Sequence, residues 1–373
     1  MPLTLLFPDT LIADPAPLRH PSVRTGQDLL ARAHCLNQFD DDTALPFETP
    51  YERWLRRELQ LPPAACLEAG SAVVDSVDVS QWRLTPVHLH VGIDHIVLAD
   101  PNHLSLNQDQ AQAFADAIAP TLLDAGMHAT VAKPNRWYLS VPADFVLNAR
   151  SWRIASGRSI DGFQPIGPSA RRWRQVLTEI QMIWHQHPLN EERAQQGLPV
   201  LNSLWLDGRF APAQRFDYDV CCTDLPGLRG IALNAQAAQR RALTVVPITA
   251  LADLLPRDQR RCLVVFDPHQ ADPYSLGSEQ SQPPPATVDA GSTERLSARW
   301  HQVTETLSIV GIRPALSDLT RSSSREPVRI VLTGDRRIVE LRLGPWDGLA
   351  FNRQLDLTSL FESGERALQR QTP

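Results

Sequence analysis

The sequence predicts an α/β protein, a mixed or mostly parallel sheet with helices on both faces, together with a smaller α+β lobe. Three observations predict it. Short apolar runs of strand length (Val200–Leu206, Val220–Thr223, Leu243–Val246, Cys262–Phe266) alternate with helical stretches such as Leu228–Gln239, the order that builds a sheet covered on both faces. Hairpin-like strand pairs gather in residues 81–150. Hydrophobic residues make up 43% of the 373 and charged residues 21%, enough apolar material for a sizeable core. At roughly 100–200 residues per domain, two domains or one large one are expected. Segments 1–80 and 151–373 read as the main α/β domain and 81–150 as the lobe.

Taken in order, Leu3–Phe7 is a first strand ended by Pro8-Asp9. Thr25–Leu36 has helical spacing at Leu29, Leu30 and Ala33, and a polar loop runs from Asp40 to Pro50. Tyr51–Leu61 is a short amphipathic helix carrying Trp54, Leu55 and Leu59, stopped by Pro62-Pro63. Val87–Val91 and Ile96–Leu98 form a hairpin about Gly92-Ile93-Asp94. Asn107–Ala125 is a helix with Ala111, Phe114, Ile118 and Leu122 on one face and Gly126 just past its end. Ala129–Ala132 and Trp137–Val141 make a second strand pair, and 145–167 reads as a connection. The clearest helix is Pro168–His187, striped by Trp173, Val176, Leu177, Ile180, Ile183 and Trp184. Pro188 ends it, and a short helix Glu191–Gln196 stops at Gly197. Ile248–Leu255 is a further helical stretch. Residues 268–292 are polar and rich in Pro, Gly and Ser, an exposed loop. A helix Thr293–Val310 follows, then a closing hairpin of Val328–Leu332 and Ile338–Leu343.

Composition excludes several classes. The net charge is −6, so a nucleic-acid partner, which needs a basic stripe, is not expected. The five cysteines (Cys35, Cys66, Cys221, Cys222, Cys262) are odd in number and lack any CxxC spacing, so neither a disulfide framework nor a zinc knuckle is expected. A reducing compartment suits them. No leader-like N-terminus and no run near the ~18 apolar residues of a membrane span is seen. The expectation is a cytoplasmic protein with no membrane partner. The chain has no P-loop, no GxGxxG and no GxSxG.

Candidate chemistry lies in three places. Asn190, Arg193 and Asn202 flank Gly197, with His187 before them and Arg209 after them. An Arg with two Asn could hold a phosphate or carboxylate by charge-assisted bonds, or tie a helix-turn-strand corner together. Asp207, Asp224 and Asp267 each follow or end an apolar strand, with His269 nearby. Acids gathered at one sheet edge could bind Mg²⁺ or Mn²⁺, although turns favour Asp for local reasons too. His88 and His90 share one side of a strand, which a solvated sheet face explains better than a metal site does.

The stretch 187–208 carries a resemblance. His187, Pro188, Asn190, Arg193, Gly197, Pro199, Asn202, Trp205, Leu206 and Gly208 match a segment of the archaeal-type cofactor-independent phosphoglycerate mutases, in which HPxN, an Arg, Gly-x-x-Pro and a strand like NxxWLxGxG follow one another. The last family glycine is Phe210 here. The VHLHVGIDHIVLADP, RWYLSVP, EIQMIWHQHPLN and LVVFD segments also resemble a proteobacterial group of phosphoglycerate-mutase-like proteins. The resemblance implies the fold of the alkaline phosphatase superfamily, whose enzymes hold two divalent metals on Asp and His and phosphorylate a Ser between them. Asp9 stands where that pattern has an Asp-Gly metal site, but Thr10 follows it, and no nucleophile segment is seen. Asp267, His269 and Asp272 do not follow the family order. The implied protein is a degenerate one that binds a phosphorylated or anionic small molecule or a protein partner. The alternative is a metal-dependent phosphomutase or phosphohydrolase (Mn or Mg) with a site rearranged on Asp9, Asp207, Asp224, Asp267 and His269.

Overall fold

The computed structural model describes residues 3–11, 30–40, 46–62, 65–75, 81–239, 242–251, 260–267, 299–303, 306, 327–334, 336–344, 355 and 357–361. The expected loop 268–292 lies outside them, as do most of the expected helix Thr293–Val310 and the second half of the expected helix Ile248–Leu255.

In chain order the strands are β1 (Leu3–Phe7), β2 (His34–Asp40), β3 (Trp82–Val87), β4 (Leu89–Val91), β5 (Ile96–Leu98), β6 (His128–Lys133), β7 (Arg136–Ser140), β8 (Ser203–Arg209), β9 (Val220–Thr223), β10 (Thr244–Val246), β11 (Cys262–Val265), β12 (Val328–Thr333) and β13 (Arg337–Leu343). The α-helices are α1 (Pro50–Glu58), α2 (Ser71–Val74), α3 (Gln108–Asp124), α4 (Trp152–Ala155), α5 (Ala170–His185), α6 (Pro188–Gln195) and α7 (Pro226–Gln239). They fall into two compact units. The first comprises Met1–Asp42, Phe216–Leu225 and Arg240–Pro373. The second comprises Thr43–Arg215 and Pro226–Gln239, taking in the expected 81–150 lobe and reaching well beyond it.

The first unit is built on a seven-stranded sheet, β10-β9-β11-β1-β12-β13-β2. The strands from β10 to β12 are parallel, while β13 runs antiparallel to both β12 and β2. The sheet is therefore mixed and mostly parallel, as the strand order predicts. Strand β1 is buried along its whole length, which is why it reads as an unbroken apolar run rather than an alternating one. Leu5 faces Val264 on one side and Ile330 on the other. The Phe7 ring stacks on Phe266 with centroids 4.6 Å apart.

One expectation is corrected here. The end of the expected helix Thr25–Leu36 is strand: His34–Asp40 pairs antiparallel with β13. This is an edge strand exposed over nearly its whole length, so no period-2 burial pattern marks it. Pairing with β13 decides its conformation.

The second unit carries a four-stranded antiparallel sheet, β6-β7-β3-β8, and the small β4-β5 hairpin. One face of the sheet is apolar. Trp82, Leu84, Trp137, Leu139, Leu204 and Leu206 pack there with Phe114 and Ile118 of α3 and Trp173, Ile180 and Trp184 of α5. Helix α3 starts in a capping box of Asn107 and Gln110 and is followed by Gly126 at φ 69°, the left-handed position glycine fills without strain. The tryptophans read as core from their helical and strand spacing, Trp173, Trp184 and Trp205, are all buried.

Candidate functional site

The corner from α5 through α6 to β8 places four of the five candidate ligand residues, and it does so through the main chain. His187 is the N-cap of α6: its Nδ1 accepts from Leu189 N at 3.2 Å. The ring therefore turns forward to the start of α6. Its ring centroid lies 4.7 Å from that of Phe114, and burial pulls its pKa below the usual imidazole value. Pro188 then occupies the first helical position, where its missing N–H is no loss.

Asn190 is buried. Its Nδ2 donates to Trp184 O and Leu201 O at 2.8 and 2.7 Å, and its Oδ1 accepts from Leu201 N at 2.8 Å. Asn202 makes the same pair of bonds to Leu89, accepting from its N at 2.7 Å and donating to its O at 2.8 Å. Arg193 is 1% exposed. Its guanidinium donates to Pro199 O at 2.8 and 3.0 Å and to Leu104 O, with Gln110 Oε1 at 3.5 Å. Burial lowers the pKa of this cation. The fifth candidate, Arg209, is exposed at the end of β8. A bound anion would have to compete with these main-chain partners.

The strand-end acids divide between the two sheets. Asp224, Asp267 and Asp9 follow the C-terminal ends of β9, β11 and β1, three adjacent parallel strands. Asp9 takes a left-handed φ of 52°, which Asp tolerates better than most residues. Its N–H donates to Thr333 Oγ1 at 3.1 Å. Arg299 Nη1 donates to its main-chain O at 2.8 Å and lies 3.6 Å from its carboxylate. Asp224 Oδ1 accepts from Ile248 N at 3.3 Å. His269 lies outside the described residues.

Asp207 corrects the expectation of a single acidic edge. It belongs to β8, in the four-stranded antiparallel sheet. It is not even at the strand end: Arg83 pairs with Gly208 and Leu84 with Leu206, leaving Asp207 as the extra residue of a bulge. Among the described residues no three His, Cys, Asp or Glu side chains are grouped so as to hold a metal. With a guanidinium against Asp9 as well, the described residues do not fit a two-metal centre.

Sequence reading missed a different cluster, on the polar face of the four-stranded sheet. Asp207 Oδ2 accepts from Thr85 Oγ1 at 2.7 Å and Oδ1 from Trp152 N at 2.9 Å. Burial pushes its pKa up to about 7. Glu52 of α1 is buried, accepts from Ser151 Oγ at 2.8 Å, and is likewise pushed upward by desolvation. Arg153 lies 3.7 Å from Glu52 and 2.9 Å from Glu68. Arg83, 4% exposed, spends its Nη atoms on the carbonyls of Leu84, Trp137 and Asn135. Cys66 is buried beside these acids, and burial raises its pKa well above the thiol value. Nothing local announces this group, because its members come from five elements far apart in sequence. The one hint was an Asp-Gly pair inside an apolar strand.

No protein-family model matches the chain, and no curated protein matches it. Among solved structures it is similar to the PH0037 protein of Pyrococcus horikoshii, at 13% identity over 91% of this chain and 87% of that one, with a TM-score of 0.47. It is also similar to a cofactor-independent phosphoglycerate mutase of Thermoplasma acidophilum, at 15% identity over 96% of this chain and 94% of that one, with a TM-score of 0.40. Both likenesses are distant. No helix among the described residues is long and apolar enough to cross a membrane.

Proposed function

We infer that this chain is a catalytically degenerate phosphoglycerate-mutase-like protein, which acts by binding an anionic ligand or a protein partner. The 187–208 motif supports the mutase-like part. The observation that carries the degenerate part is the fate of the acids. Asp207, an expected ligand, is a buried bulge residue bonded to Thr85 and Trp152, and Asp9 has Arg299 against its carboxylate. A metal-dependent phosphoryl transfer needs carboxylates free to face the ion.

One observation favours a second reading, a rearranged metal-dependent phosphomutase or phosphohydrolase. Asp224, Asp267 and Asp9 end neighbouring parallel strands, and ligand crevices of open α/β sheets lie outside such strand ends. Manganese or magnesium would be the ion, held by oxygen ligands.

A thermal-shift titration with Mn²⁺, Mg²⁺ and Zn²⁺, with and without 3-phosphoglycerate, separates the two, since a ligand specific for the folded state raises Tm by mass action. The degenerate reading expects no metal-dependent shift. A shift of several degrees that disappears in Asp267→Ala would replace it with the enzyme reading.

A further inference from the structure

The sequence His88-Leu89-His90 puts two imidazoles on one side of the chain, and the main chain between them is fixed at each residue. His88 O accepts from Ala99 N at 3.0 Å. Leu89 exchanges two bonds with the Asn202 side chain, at 2.7 and 2.8 Å. His90 pairs with Val97 of β5. The two ring centroids stand 6.3 Å apart. A solvated face accounts for two such rings by their positions alone, but the surroundings of His88 add a second observation.

The His88 ring is oriented from behind. Its Nδ1 lies 2.8 Å from Val200 O. A carbonyl only accepts, so Nδ1 carries the proton and the neutral ring keeps its lone pair on Nε2. That nitrogen is not among the buried polar atoms left without a partner. An imidazole that donates one N–H to a main-chain carbonyl and offers its other nitrogen is the usual arrangement of a metal-ligating histidine. His90 is exposed, and its ring makes no hydrogen bond among the described residues. It is free to turn toward its neighbour. The spacing narrows the choice of ion. With metal–nitrogen bonds of about 2 Å, rings on opposite sides of one ion stand roughly 6 Å apart centre to centre, and rings on adjacent tetrahedral corners roughly 5 Å. Magnesium and manganese prefer oxygen ligands, whereas Cu²⁺ and Ni²⁺ take nitrogen in square or tetragonal sites, and Cu²⁺ binds most tightly of the series.

We propose that His88 and His90 form a two-histidine site for a late divalent transition ion, Cu²⁺ above all, with water in the remaining positions. Val200 O sets the tautomer and direction of the first ligand, and the Asn202 side chain holds the backbone that joins the two. A first shell carried on fixed main chain loses little freedom on binding. The site lies in the second unit, whereas Asp9, Asp224 and Asp267 belong to the first. Its occupancy is thus independent of the strand-end acids.

Copper binding is best read in the full chain carrying Cys35→Ser, which removes the exposed thiol that Cu²⁺ would oxidise. One equivalent of Cu²⁺ should give an electron paramagnetic resonance spectrum with nitrogen couplings from two imidazoles. In that background His88→Ala and His90→Ala should each reduce the couplings to one. Each should also weaken binding at least about tenfold in competition with a chelator, since the second of two linked ligands acts at high effective concentration. Neither ring belongs to the buried core, so both variants keep the fold. Asp267→Ala should change neither readout. A single-nitrogen spectrum before any histidine is replaced, or an affinity that both histidine variants leave unchanged, overturns the site. Loss of copper in Asp267→Ala overturns it too, by placing the ion at the strand-end acids.

Discussion

Asn190 and Leu201 exchange two hydrogen bonds, side-chain amide to main-chain N and O, at 2.7 and 2.8 Å, and Asn202 repeats the arrangement with Leu89. Each asparagine does what the neighbouring strand residue of a sheet would do, for a chain that arrives too irregularly to form a ladder. Both donor and acceptor are needed at each position. Asn190→Ala should therefore lower the unfolding free energy by about 1–3 kcal/mol, the range for stranding buried polar groups. Asn190→Asp should lower it more, because a carboxylate cannot donate to the Trp184 and Leu201 carbonyls it would face. Urea unfolding measures both. An aspartate variant as stable as wild type would mean that the corner is not held in this way.

His187 couples one helix start to pH. Its Nδ1 can accept from Leu189 N only while unprotonated, and burial already favours the neutral ring. For a histidine with a lowered folded pKa, the stabilising contribution is present above the ordinary value near 6.5 and is lost as pH falls through the lowered one. His187→Asn keeps an acceptor at the cap and drops the ring on Phe114, whereas His187→Phe keeps a ring and drops the acceptor. The Phe variant should cost about 1 kcal/mol at pH 8, the usual value of an N-cap. Unfolding curves at pH 5 and 8 should show both variants with the wild-type loss below pH 6.5 removed at this site.

Much of the architecture is readable from local signals, and the exceptions have local causes. Helix α3 carries a capping box and an apolar stripe in its own sequence, and α5 a stripe of Trp173, Val176, Ile180 and Trp184. The central parallel strands β1, β9 and β11 are buried along their whole lengths and mostly apolar, as strands covered on both faces are. Strand β3 is hidden because Arg83 and Pro86 break its pattern. Pro86 is tolerated there since pairing with β7 ends at Leu84, so no partner on that side lacks a donor. Strand β8 starts at Ser203 and not Val200, because Leu201 and Asn202 are drawn off into side-chain bonds. The sequence singles out the corner residues as polar groups that could hold an anion or tie the corner together. Their types could not distinguish an anion from a carbonyl as the partner, since both take the same donors.

Gly230 tests how the second unit closes on itself. Helix α7 approaches the turn Glu68–Gly70 backbone to backbone. A Cβ at Gly230 would stand 1.6 Å from Gly70 O, and one at Gly227 2.2 Å from Leu67 O. Main chain cannot swing aside as a side-chain tip can. Gly230→Ala should cost more than about 3 kcal/mol through overpacking, despite the better helix propensity of alanine. Leu233→Ala, on an exposed position of the same helix, should stay within about 0.5 kcal/mol. Thermal unfolding of the pair separates packing from propensity. Equal stabilities would remove the close approach as a determinant of the fold.

Arg193 decides whether the corner is a scaffold or an anion site. Its guanidinium reaches Pro199, Leu104 and Gln110, gathering three chain segments with one planar group. Lysine carries the same charge but one nitrogen, so it cannot span those acceptors. Arg193→Lys should thus destabilise by about 2 kcal/mol, with carbonyls left short of donors. If the charge were there to hold a phosphate, lysine would preserve much of the function, and inorganic phosphate would raise Tm in wild type and less so in Arg193→Met. The main-chain bonding predicts the opposite: a large stability loss in both variants and the same phosphate response in all three proteins. Urea unfolding and a phosphate titration of Tm, run side by side, distinguish the cases, because a scaffold residue changes the first and leaves the second untouched.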